Sequence, residues 1–146
     1  MIHRNGYTAL SYAMRSAFLL PLLALCISGC GGGHPSTVSG TVSLDQQPLA
    51  TGTVTFHPEG GGAAAYGNVD ASGKYMISTG TSQGLEPGDY RVTVVALELI
   101  PGPHPDDAPS GRRITPQQYQ DLETTPLRVS VERGANTCDL ALSSKQ

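Results

Sequence analysis

The side chain best suited to chemistry in this 146-residue chain is the thiol of Cys30. A partly ionised thiol is a strong nucleophile. Ser28 and Gly29 precede it and leave room for a peptidase to reach the bond before the cysteine. Elsewhere the reactive residue types are scattered. His57 stands near Glu59, and His104 near Asp106 and Asp107. Neither group has the ligand spacing of a structural zinc site, and no metal is expected. Asp70-Ala71-Ser72-Gly73 lacks the later acid and the oxygen count of a calcium loop, and reads as a turn. Covalent catalysis needs a base aimed at a nucleophile, and no Gly-x-Ser-x-Gly elbow is present. Gly60-Gly61-Gly62 has neither the Lys-Ser/Thr pair nor the following helix of a phosphate loop. The chain therefore reads as non-enzymatic, with no catalytic residue and no cofactor; an enzyme with an unrecognised site is the remote alternative. Tyr66 alternates away from Ala65, Gly67 and Val69 and so faces outward, where it can stack on a sugar or another small ligand. The lack of tryptophan counts against a dedicated carbohydrate module.

The segment before Cys30 carries Arg4 and Arg15 and no acid, then an uncharged run from Ser16 to Ile27 rich in Leu, Ala and Phe. That run has the length of a signal-peptide core and falls short of the ~20 residues a spanning helix needs. Pro21 and the glycines at 31–33 argue against a buried helix; an ordinary cleaved secretory signal is the competing reading. Ile27-Ser28-Gly29-Cys30 resembles the lipobox of bacterial lipoproteins. The resemblance implies a cleaved lipoprotein signal peptide over residues 1–29 and lipidation of Cys30 through a thioether to diacylglycerol. It further implies an amide-linked third, palmitate-type chain. At ~0.8 kcal/mol per buried CH₂, two or three such chains anchor a protein stably. The implied place is the bacterial cell envelope, with the membrane as partner. The non-acidic Gly31 points to the outer membrane or cell surface.

The chain from Cys30 onward has 117 residues, about one domain, with 7 basic against 12 acidic residues. Arg112-Arg113 is a lone basic pair, so no nucleic-acid partner is expected. On the lipoprotein resemblance Cys26 falls in the leader and Cys30 is lipidated, which would leave Cys138 without a disulfide partner. Cys138 alternates with Leu140 and Leu142 and is expected to be an inward-facing filler. Residues 30–36 read as the lipidated cysteine and a flexible tether.

From residue 37 the pattern has a period of two. Strands are expected over 37–44, 52–57, 63–69, 74–79, about 88–98, 127–132 and 137–142. Val38, Val42, Val54, Phe56, Tyr75, Ile77, Tyr90, Val92, Val94 and Ala96 are expected inward. Gly40 shares the inward face of its strand and leaves space for a neighbour to approach. Gly73 supplies the positive φ that closes the 70–73 hairpin. Tyr90 follows Pro87-Gly88 as in a tyrosine corner, whose hydroxyl bonds nearby backbone. Residues 100–125 show no strand pattern. Thr115-Pro116 reads as an N-cap and first helical residue of one turn, with Tyr119 and Leu122 packed on the sheet. The tip, 101–111, is expected to be mobile.

These elements make a single all-β, seven-stranded antiparallel β-sandwich over residues 37–146. Ser39-Gly40-Thr41-Val42-Ser43-Leu44, Gly52-Thr53-Val54-Thr55-Phe56-His57-Pro58 and Val69-Asp70-Ala71-Ser72-Gly73-Lys74-Tyr75 resemble bacterial carboxypeptidase regulatory-like domains. Pro87-Gly88-Asp89-Tyr90-Arg91-Val92-Thr93-Val94 is similar to their most recognisable motif. The resemblance implies a transthyretin-like (prealbumin-like) fold and no activity. The ending Ser-Ser-Lys-Gln differs from the Tyr-Arg-Gly-Ser of hydroxyisourate hydrolases, and the isolated histidines differ from the iron ligands of intradiol dioxygenases. The function expected is a membrane-anchored structural or interaction module with an envelope protein or polysaccharide as partner. A small-ligand or glycan-binding sandwich using Tyr66 is the alternative.

Overall fold

The computed structural model describes residues 33–104 and 106–145. The leader over 1–29, Cys30 and the first tether glycines lie outside the described residues. The strands are β1 Ser36–Leu44, β2 Gln47–Pro48, β3 Thr53–Pro58, β4 Ala65–Asn68, β5 Lys74–Met76, β6 Ser78–Thr79 and β7 Ser82–Gln83. They continue with β8 Gly88–Val95, β9 Leu97–Ile100, β10 Ser110–Arg113, β11 Arg128–Val131, β12 Gly134–Thr137 and β13 Leu140–Leu142. The one helical element among the described residues is a 3₁₀ turn, Gln117–Tyr119.

Two sheets enclose the core. In the first, β1 is central, with β12 and β13 along one side and β5 and β2 along the other. The second runs β11-β8-β3-β4-β6-β7 and is antiparallel throughout. Alternation explains the packing: Val38, Val42, Val54, Phe56, Ile77, Val92, Val94 and Ala96 are fully buried, while their strand neighbours face out or lie half-covered, except Thr93, which is buried on the other face of β8. The Phe56 ring meets the edge of Tyr90 at 5.8 Å and tilts against Tyr75 at 6.4 Å. Each such aliphatic or aromatic side chain contributes ~1.5–3 kcal/mol by burial.

The structure departs from the sequence reading in several places. β1 pairs with β12 and β13 in parallel, because the first and last strands run the same way. The expected tether is already bound at its end. His34 N donates to Gln83 O, Pro35 O accepts from Gly134 N, and Ser36 is buried in β1. The strand expected over 74–79 divides at Ile77, whose N–H turns to Val38 O; its first half serves the first sheet and its second half the other. The last strand begins at Gly134, earlier than expected, and divides at Cys138–Asp139.

Residues 100–125 are also more regular than their sequence. β10 pairs with β9 as a two-stranded ribbon, although Ser110-Gly111-Arg112-Arg113 carries no apolar pattern; the ladder is held by backbone bonds and by one cross-strand ion pair, Arg112 with Glu98. Thr115 does not cap a helix. Its hydroxyl oxygen accepts from Ala96 N instead, and Pro116 takes the cap position without a side-chain bond. Tyr119 is buried as expected, but Leu122 is 37% exposed and packs on nothing in the core.

Candidate functional site

The outer surface around β5 brings together polar side chains from β1, the 70–73 turn, β5 and Asp139. It begins with the hairpin turn after β4. Asp70 Oδ1 accepts from Ser72 N at 2.8 Å, Ser72 Oγ at 2.7 Å and Lys74 N at 3.0 Å. Gly73, at φ +83°, lets the chain return, and Lys74 emerges into β5 facing solvent. Lys74 stands opposite Thr41 on β1. On the far side of β1, Asp139 Oδ1 accepts from Thr41 N at 2.8 Å and Thr41 Oγ1 at 2.7 Å. Asp70, Lys74, Thr41 and Asp139 thus form one row across the sheet. Hydrogen bonds from Ser72 and Lys74 hold the Asp70 carboxyl below the ordinary carboxylate range, and those from Thr41 do the same for Asp139. Both are ionised at neutral pH.

The neighbouring row consists of Thr137, Ser39 and Met76, in register across β12, β1 and β5. Met76 is 54% exposed, and its thioether accepts from Gln83 Nε2. With Asn68 at the end of β4, these rows border an open trough of about 560 Å³. Tyr66, the outward aromatic of the sequence, is 49% exposed and pairs with Thr55 and Ser78. It lies two residues along β4 from Asn68, roughly 7 Å along the strand, and does not itself line the trough.

His57 Nε2 sits 3.1 Å from Thr93 Oγ1, and burial lowers its pKa. Glu59 is engaged by Arg91 and Arg128, so it is not directed at His57. His104 and Asp107 close a turn on each other, His104 N donating to Asp107 Oδ2 at 3.0 Å. Among the described residues no three His, Cys, Asp or Glu side chains group as metal ligands. Cys138 is half-buried and packs on the core; burial, then the Asp139 charge, raises its thiol pKa and keeps it protonated. Cys30 lies outside the described residues.

A second surface was not legible beforehand. In the β9–β10 ribbon every residue is exposed, including Leu97, Ile100 and Leu99, the last at 69%. Leu99 faces Gly111 across the ladder, so no side chain covers it from there. Each ribbon strand pairs only with the other, which leaves two free edges among the described residues. The ribbon leaves the body at the end opposite Ser36. Ser36 bridges Leu85, just before β8 begins at Gly88, and the ribbon follows Val95 at the far end of that strand. β8 spans roughly 23 Å at ~3.3 Å per residue.

No family model, curated protein or solved structure matches the chain.

Proposed function

We propose that the chain is a lipid-anchored protein of the bacterial cell envelope, held through Cys30 at the outer membrane or cell surface and acting without catalysis as an interaction or structural module. In this reading the body is a seven-stranded, transthyretin-like sandwich of the carboxypeptidase regulatory-like kind. The strand count supports it: taking β5–β6 and β12–β13 each as one strand, and setting aside β2, β7 and the ribbon, leaves seven. The tyrosine corner supports it as well, with Tyr90 Oη donating to Glu86 O at 2.7 Å.

The observation that carries the interaction role is the ribbon. Leu97, Leu99 and Ile100 stand in water on a two-stranded projection at the end of the body remote from Ser36. A chain tethered just before Ser36 presents that end away from its own anchor. Exposed aliphatic groups on unpaired strand edges are what a partner protein covers, by strand addition or by apolar contact. The test is a photo-crosslinking side chain placed at Leu99 in intact envelopes, with the exposed Ala141 as control. A discrete protein adduct at Leu99, absent at Ala141, is expected. Equal or no crosslinking at the two positions would end the interaction reading.

The trough favours the second reading, a small-ligand or glycan-binding sandwich, with the ligand on the β1–β5 face beside Tyr66 and not held by it. It supplies ionised acceptors and exposed hydroxyls beside an apolar side chain.

A further inference from the structure

We infer that the trough between Asp70, Lys74 and Asp139 binds a neutral, chain-like oligosaccharide, an inference that rests on the second reading above and gives it a site and a ligand class. Three features fix the class. The first is the state of the carboxylates. Every internal hydrogen bond to Asp70 and Asp139 uses Oδ1. The Oδ2 atoms are left as charged acceptors, held in place by strand and turn. Ionised acceptors take hydroxyl donors in short, strong bonds, and groups already fixed on strands lose little freedom when a ligand arrives.

The second feature is the mixture of partners. Lys74 takes part in none of the salt bridges among the described residues, so its ammonium is free to donate to a ring or hydroxyl oxygen. Ser39, Thr41 and Thr137 add hydroxyl oxygens. Met76, steadied by Gln83, offers an apolar surface to the C–H face of a sugar ring. Sugars present this pairing of a hydroxyl rim and an apolar face.

The third feature is charge and shape. Two carboxylates against one ammonium leave the trough negative, in a body with more acids than bases. Uronates, sulfated sugars, phosphates and nucleic acids are repelled. A volume of about 560 Å³ is within the range of ligand sites. Because the trough is open, a bound chain lies along the surface and continues into solvent.

The experiment titrates the full chain, labelled with ¹⁵N, with cellohexaose, maltohexaose and chitohexaose as neutral probes and a galacturonic acid hexamer as the anionic probe. Amide shifts at Thr41, Lys74 and Met76 with at least one neutral hexamer are expected, with none from the anionic one. Asp139→Asn keeps the Oδ1 bond to Thr41 and replaces the free acceptor; it is expected to weaken binding about tenfold, the worth of one charged hydrogen bond. The exposed Met76→Ala is expected to weaken it measurably without changing the melting temperature. Leu99→Ser leaves it unchanged. Shifts only around Tyr66, or only with the anionic hexamer, would overturn this inference while keeping the ligand-binding reading. No shift with any hexamer would overturn both.

Discussion

The hydroxyl of Tyr75 donates to the carbonyl oxygen of Cys138 at 2.7 Å, directly over Gly40. A Cβ on Gly40 would lie 1.8 Å from that same carbonyl oxygen. β1 therefore passes beneath the break between β12 and β13 only because residue 40 has no side chain, and Tyr75 fastens the break from above. Gly40→Ala is expected to destabilise the protein by about 3 kcal/mol through forced displacement of the last strand. Tyr75→Phe, which removes the bond alone, is expected to cost ~1 kcal/mol. Urea unfolding of both variants checks the order; equal midpoints would contradict it.

Tyr90 joins two effects that separate by mutation. Tyr90→Phe loses the bond to Glu86 O but keeps the edge contact with Phe56. A loss of ~1 kcal/mol is expected. Tyr90→Ala also opens a cavity beside Phe56 and is expected to cost ~3–5 kcal/mol. Calorimetric melting of the pair measures both.

Ser36 is fully buried, and its Oγ has no hydrogen-bond partner among the described residues. An unpaired buried hydroxyl costs ~1–3 kcal/mol. Ser36→Ala is accordingly expected to leave stability unchanged or raise it by ~1 kcal/mol. A fall in the urea midpoint would show that the hydroxyl has a partner in solution.

Stability should fall with acid in two stages. Burial lowers the His57 pKa from its ordinary 6.5, so the folded state disfavours the charged ring. That contribution is complete above 6.5 and is lost as pH falls through the lowered value. Asp45, Asp70 and Asp139 are held below their ordinary 3.8, each first by a side-chain hydroxyl donor: Ser144, Ser72 and Thr41 respectively. Their contribution is complete above 3.8 and is lost as pH falls through the lowered values. Urea midpoints between about pH 2 and pH 8 should show a shallow first decline that His57→Gln removes. The lower one should shrink in Asp139→Asn.

Much of this arrangement is written locally. The alternation of Val54 with Phe56 and of Tyr90 with Val92 and Val94 sets the inner faces, and Tyr66 faces out because Ala65 and Gly67 face in. The hairpin at Asp70 and the tyrosine corner are also short-range, each closing within four residues. The trough is different. Asp139 and Thr41 are 98 positions apart, and nothing in the alternation of 137–142 marks which outward residue will close on β1. The ribbon escapes for another reason. Ser110-Gly111-Arg112-Arg113 has no apolar periodicity, and its pairing with Leu97–Ile100 rests on peptide groups that any sequence possesses and on one ion pair, Arg112 with Glu98, that charge alone does not single out. Leu122 shows the converse: an apolar residue beside a helical turn is exposed because the turn is 3₁₀ and ends at Tyr119.

The anchor bears most directly on the account. Expressed in a bacterium with lipoprotein-processing enzymes, the protein should partition into membranes. Mass spectrometry of its N-terminal peptide should show a chain beginning at Cys30, heavier by a diacylglyceryl group and an amide-linked acyl chain. A soluble chain that retains residues 1–29, with Cys30 as an unmodified thiol, would contradict it.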